Sequence, residues 1–245
     1  MIRFTNISKR FGRFQALDSI NLQLGTGRAI ALIGPNGSGK TTLIKCLLGM
    51  VVPDSGAITF QDKDIRHDHT YRADIGYMPQ IGRYPDNMTI GQLIDMMKDI
   101  RQAAVRHTGS DASRSANRPL DEDLIKDMGL QPLFHKRMRS LSGGTRQKVS
   151  ACLAFLFDPA VLVLDEPTAG LDPVSSGILK KKIDTETAKG KLVLITSHIL
   201  SELDDLVDEV VYLQEGRVRF HKTIPQLQAD TGEQKLVRAI AHIMV

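Results

Sequence analysis

Nine consecutive residues, GPNGSGKTT from Gly34 to Thr42, place three glycines, a lysine and two threonines between an apolar run and a helical pattern. Glycines at this spacing allow successive backbone N–H groups to converge on phosphate oxygens, and the following helix adds partial positive charge. In this reading Lys40 bridges the β- and γ-phosphates of a nucleotide and the Thr41 hydroxyl holds Mg²⁺, with Pro35, Asn36, Gly37, Ser38, Gly39 and Thr42 completing the cradle. A second group closes the apolar run VLVLDE. Asp165 is placed to hold Mg²⁺, directly or through water, and Glu166 to orient and deprotonate the water that attacks the γ-phosphate. His198 follows another apolar run, KLVLITS, and reads as a γ-phosphate contact at a strand end. Residues 141–150, LSGGTRQKVS, then raise a question. A hydroxyl and adjacent glycines open a second helix in the manner of an anion site, about a hundred residues after the first.

Taken in chain order, GPNGSGKT, Gln80 of YMPQ, LSGGT, LVLDE, the AGLD stretch ending at Asp172, and His198 resemble the nucleotide-binding subunits of ABC (ATP-binding cassette) transporters. The resemblance covers essentially the whole chain, and LSGG at this spacing is its most specific element. It implies an ATPase using ATP and Mg²⁺, in which two copies pack head to tail. Each ATP then lies between one copy's phosphate loop and the other's Ser142, Gly143 and Gly144, with Asp172 helping to join the two sites. Gln80 would contact Mg²⁺ and the attacking water, acting beside Glu166, His198 and Lys40, while Phe11 would lie against adenine. Integral membrane permease subunits would dock near Gln80 and residues 81–89, holding the chain on the cytoplasmic face of the membrane. The usual glutamine after LSGG is here Thr145, which alters a contact to ribose or partner without removing the site. IGYMPQIGRYPDNMT looks more like ABC-2-type export or copper-site maturation systems than sugar importers. The alternative is a soluble, non-transport ABC ATPase such as the iron–sulfur cluster assembly type, although TRQKVSACLAF looks like transporter subunits.

Elements must carry these residues. IRFTNIS and SINLQL alternate as antiparallel strands, and RAIALIG is a buried parallel strand feeding a helix with Leu43, Leu47 and Leu48 on one side. AITF, DIGYM, VLVLDE and KLVLITS read as further strands, and VVYLQEGRVRF as a hairpin turning at Glu215-Gly216. Thr89 and Gln92 are spaced as a capping box, Asp172-Pro173 opens a helix that Gly190 ends, and Ser201 with Asp204 caps another. A helix is expected from about Thr145. The lysine run 180–182 reads as a solvated face, and RHTGSDASRSANRP as a solvated loop without the aromatics that stack bases. The resulting fold class is α/β: a P-loop NTPase of the ABC type, with a RecA-like core, an antiparallel β subdomain and an inserted helical subdomain. Residues 1–80 and 141–245 form the core and β lobe of the single 1–245 domain, and 81–140 the helical subdomain.

Composition narrows the partners. With 32 basic against 28 acidic side chains in 245 residues, the balance is too slight to argue for nucleic acid. Cys46 and Cys152 lie far apart in apolar runs, as small buried residues do, and match no metal-ligand spacing. No signal peptide opens the chain, and no apolar run reaches the ~20 residues of a membrane helix. A separate subunit is therefore expected to bring it to a membrane.

Overall fold

The computed structural model describes residues 2–108 and 118–244, so the polar loop expected at 106–119 lies largely outside the described residues. The chain forms two compact units, one made of Met1–His69 with Glu186–Val245 and the other of Thr70–Thr185.

In the first unit, β1 (Ile2–Phe11) pairs antiparallel with β2 (Phe14–Leu24), joining Ile2 to Leu24 and Phe4 to Leu22. The alternation seen in the sequence puts Ile2, Phe4, Leu22 and Leu24 inside. β4 (Ser55–Phe60) and the short β5 (Lys63–Asp64) complete a sheet ordered β2-β1-β4-β5. β3 (Arg28–Ile33) lies parallel to both β8 (Leu192–Thr196) and β9 (Glu209–Gln214). β3, flanked on both sides, is apolar after Arg28, and β8 is buried along its whole length, as buried parallel strands are. β9 returns as β10 (Arg217–Thr223) through Glu215 and Gly216 at φ 52 and 73, the consecutive left-handed pair of a tight hairpin. α1 (Lys40–Leu47) follows β3 and buries Leu43, Ile44 and Leu47, with Leu48 buried just beyond.

The end of this unit departs from expectation. Ser201 and Asp204 do not cap a helix after β8; a 3-10 turn spans Leu200–Glu202 instead. Asp204 Oδ1 accepts the Leu236 N–H at 2.7 Å, at the start of the C-terminal helix Leu236–Met244. Its acceptor serves a helix N-terminus 32 residues away. Before that helix stands Ile224–Thr231, opened by a full Thr223/Gln226 capping box and closed by Gly232 at φ 70.

In the second unit, β6 (Ile75–Met78) runs parallel to β7 (Val161–Asp165). α2 (Ile90–Thr108) starts at the expected capping box: Thr89 N–H donates to Gln92 Oε1 at 3.0 Å, and Gln92 N–H to Thr89 Oγ1 at 3.2 Å. α3 (Asp123–Asp127), α4 (Gly143–Phe155) and α5 (Pro173–Ala188) follow. α4 begins two residues earlier than Thr145, because Ser142 and not Thr145 takes the capping position. The backbone of α4 lies against β6, since a Cβ on Gly76 would sit 2.0 Å from Ala154 O.

The lysine run is not uniformly solvated. Leu179, Lys182, Ile183 and Glu186 share one buried face of α5, at the spacing i, i+3, i+4, i+7. Lys182, 8% exposed, places Nζ 2.5 Å from Asp121 Oδ2 and 3.2 Å from Asp123 Oδ2.

Candidate active site

The phosphate-loop residues lie where β3 gives way to α1. A Cβ on Gly34 (φ 149) would fall 1.9 Å from Leu213 O, and one on Gly39 (φ 105) 2.5 Å from Ala16 O. Close approach of the loop to its own protein therefore requires these two glycines, in addition to the phosphate contact that the spacing assigns to all three. Only Gly37 (φ 77) meets open space. Ser38 O accepts from Gly216 N–H at 3.1 Å, and Gly216 O from Asp18 N–H at 2.8 Å. Arg217 pairs with the Asp18 carboxylate at 2.6 Å, so the β9–β10 turn braces the loop.

Lys40 Nζ donates to Gly34 O at 2.7 Å and Pro35 O at 3.0 Å, closing the loop into a ring around its ammonium. Thr41 is exposed and Thr42 half-buried in the first turn of α1. Pro35, Asn36 and Gly37 are exposed, while Ser38 is buried with no hydrogen-bond partner for its Oγ. The N-cap of α1, Gly39, brings no side-chain hydrogen bond. An uncapped helix start, an ammonium and an exposed glycine turn are a donor set suited to phosphate.

Phe11 stands at the tip of the β1–β2 hairpin, 49% exposed, with Lys9 Nζ 5.5 Å from its ring centroid. Phe14 pairs with it across the hairpin and is 58% exposed, a second free aromatic face that the sequence reading missed. The mirrored pattern FGRF was its signal. His198 is exposed in the turn after β8, where Ser197 Oγ accepts the Ile199 N–H at 3.0 Å. Because β3 and β8 pair in parallel with Ala31 opposite Ile195, His198 and Gly34 leave the sheet at the same edge.

In the second unit the structure joins Gln80 to Glu166 directly, Gln80 Nε2 donating to Glu166 Oε2 at 2.9 Å. Glu166 follows Asp165 at the end of β7 with φ 51, a left-handed backbone that costs a non-glycine residue about 1–3 kcal/mol and persists only where its surroundings impose it. Its carbonyl accepts from Ala169 N–H at 3.1 Å and from Gln147 Nε2 at 3.5 Å. Burial, reinforced by the Asp165 charge, pushes the Tyr77 hydroxyl above its ordinary pKa.

Ser142 caps α4: its Oγ accepts the Thr145 N–H at 3.2 Å and lies 2.9 Å from Thr145 Oγ1. The threonine that replaces the usual glutamine thus engages the capping hydroxyl itself. Ser142 and Gly143 are exposed, and nothing lies within 4 Å of a Cβ built on Gly143. Gly144 packs so close that its Cβ would be 2.7 Å from Gly170 O. Asp172 caps α5, accepting from Ser175 N–H at 2.9 Å and Ser175 Oγ at 2.8 Å, and pairs with Lys148 at 2.9 Å. The hydrogen bond from Lys148, helped by those from Ser175, holds the Asp172 carboxyl well below the usual range.

A strand, a glycine loop closed by lysine and a helix, together with a strand ending in paired carboxylates, define a nucleotide-binding P-loop protein. A family described as ABC transporter matches residues 17–169. A Nod factor export ATP-binding protein I from Ralstonia nicotianae is 31% identical over 212 residues, covering 86% of this chain and 63% of that protein. A sulfate/thiosulfate import ATP-binding protein CysA from Mesostigma viride is 34% identical, covering 89% of this chain and 60% of that protein. The chain thus spans slightly less than two thirds of the length of these two relatives. A solved ATP-binding subunit of an ABC transporter superposes with a TM-score of 0.86 at 26% identity, covering 100% of both chains. The chain belongs to the ABC transporter family and has the fold of its ATP-binding cassettes.

Proposed function

We propose that this chain binds and hydrolyses ATP at the interface of a head-to-tail dimer of two copies, and so drives movement in separate membrane subunits. The observation that carries the reading is the Gln80–Glu166 hydrogen bond, which holds the carboxylate of a residue with left-handed backbone at the end of β7. In this account the Gly34–Thr42 backbone and Lys40 bind the phosphates, and Phe11 lies on adenine. Phosphate oxygens are better acceptors for Lys40 than the two carbonyls it holds now. Glu166 accepts a proton from the attacking water, Gln80 orients that carboxylate, and His198 contacts the γ-phosphate. Thr41, Gln80 and Asp165 offer the hard oxygen ligands that suit Mg²⁺, which when bound neutralises charge on the phosphates. Gln80 donates its amide N–H to Glu166, so its amide oxygen is the atom that faces a cation.

Ser142, Gly143 and Gly144 then serve the ATP held by the other copy, and Asp172 helps to join the two sites. The membrane subunits dock near Gln80 and residues 81–89, where Ile81 is 73% exposed. Tyr84 ties this segment to α4 by donating to Ser150 Oγ at 3.0 Å. Residues 81–140 act as the helical subdomain and 1–80 with 141–245 as the core. No helix among the described residues is long and apolar enough to cross a membrane. The proposed membrane subunits are separate chains that hold this one on the cytoplasmic face. Relatives named for transport favour this reading over a soluble, non-transport ATPase. Export and import names occur at similar identity, so the direction of transport is left open.

Glu166→Gln tests the reading by ATP turnover of the purified chain. It should retain ATP binding and lose ~10²–10⁴-fold in rate, the scale of a positioned proton acceptor. Hydrolysis at the parental rate would remove Glu166 from this role.

A further inference from the structure

We infer that Gln147 is a positioning residue for Glu166, holding it from the same helix that opens at Ser142. The inference rests on the proposed role of Glu166 as proton acceptor. Gly144, Gln147 and Lys148 share one face of α4, at i, i+3 and i+4, and that face meets the segment from Glu166 to Asp172 at three points. The Gly144 backbone lies against Gly170 O, Gln147 Nε2 is 3.5 Å from Glu166 O, and Lys148 Nζ is 2.9 Å from Asp172 Oδ2. One helix face therefore touches the segment at its start, near its end and at its last residue.

Gln147 is 8% exposed. A buried amide is costly unless it is hydrogen-bonded, and here it donates to the main-chain carbonyl of the residue at φ 51. A left-handed glutamate is maintained by what surrounds it. Gln80 holds its carboxylate, while Gln147 and Ala169 hold its carbonyl. Because Gln147 grips the backbone and not the carboxylate, it sets where the proton acceptor points. At 3.5 Å the contact is long, so a shift of α4 by a few tenths of an ångström strengthens or releases it. An ATP engaged by Ser142–Gly144 in one site would thereby adjust Glu166, which serves the other.

The test is steady-state ATP hydrolysis by the full chain with Gln147→Leu, Glu166→Gln and the double variant. The expected result for Gln147→Leu is a fall in kcat on the order of 10²-fold with KM for ATP within about twofold, the signature of a misplaced catalytic group. In the Glu166→Gln background the same change should cost nothing further, because the group it positions is already disabled. If Gln147→Leu does not fold, Gln147→Glu replaces it. That carboxyl can donate only when protonated, so the ratio of variant to parental kcat should rise on acidification. Parental turnover, a loss carried in KM, full additivity with Glu166→Gln, or a ratio flat with pH would each overturn the inference. If Glu166→Gln itself hydrolyses ATP normally, the proposed function fails; if only the Gln147 variants do, the positioning role fails alone.

Discussion

Replacing Lys182 with methionine should destabilise the chain far more than a surface lysine change does. The methionine retains the apolar stem packed beside Leu179 and Ile183, so the loss is confined to the ammonium. That ammonium lies 2.5 Å from an Asp121 carboxylate only 11% exposed, and 3.2 Å from Asp123, which is 74% exposed. The Asp123 contact, open to solvent, contributes no more than ~1 kcal/mol. Leaving the nearly buried Asp121 carboxylate with the Asp123 N–H but without its ammonium is the larger effect, up to about 3–5 kcal/mol. Urea unfolding followed by far-UV circular dichroism measures this as a lower midpoint at unchanged slope. Asp123→Asn should cost less than ~1 kcal/mol, and Lys182→Met with Asp121→Leu should recover most of the single loss, since no charge is then left unpaired. A Lys182→Met variant within ~1 kcal/mol of the parent, or a double variant as unstable as the two losses summed, would refute the reasoning.

Lys40→Ala should abolish ATP binding and also loosen the loop, because Gly34 O and Pro35 O lose their donor; equilibrium binding of a fluorescent ATP analogue checks it, and unchanged affinity would contradict the assignment. Burial pushes the Cys46 thiol to about 11 and Cys152 to about 12, so both should resist a thiol reagent at neutral pH in the native chain and react only after denaturation. Since the folded Asp172 carboxyl lies below its unfolded value of about 3.9, its stabilisation is present above that pH and fades as pH falls toward the folded value. Lys148→Met should flatten that acid limb in a plot of Tm against pH, and parallel profiles for variant and parent would count against the pair.

Features built from neighbouring residues were the legible ones. Strand, glycine loop and helix at Gly34–Thr42, the Thr89/Gln92 box, the Glu215-Gly216 turn and the Asp172 cap all depend on contacts within a few positions. What was misread depends on partners far along the chain. Asp204 serves Leu236, and Lys182 serves Asp121; residue type alone names neither partner. Within the lysine run the helical period turns only Lys182 onto the buried face, a distinction invisible in residue type. Gly34 and Gly39 are also demanded by their own protein, since the atoms crowding them belong to Leu213 and Ala16, neighbours that the loop's spacing does not name. The left-handed backbone of Glu166 had no sequence signal, because glutamate carries no preference for it. Thr223, Pro225 and Gln226 carry the local signal of the helix after β10, a capping box with a first-turn proline.

In the proposed account the helix start at Ser142, besides being capped within its own chain, engages the ATP held by the phosphate loop of another copy. The most direct measurement is the molar mass of Glu166→Gln, with and without Ser142→Arg, by light scattering in the presence of ATP and Mg²⁺. The account predicts an ATP-dependent dimer for Glu166→Gln, and monomers that still bind ATP once Ser142→Arg is added. An ATP-dependent dimer that survives Ser142→Arg, or a Glu166→Gln chain that stays monomeric with ATP bound, would contradict it.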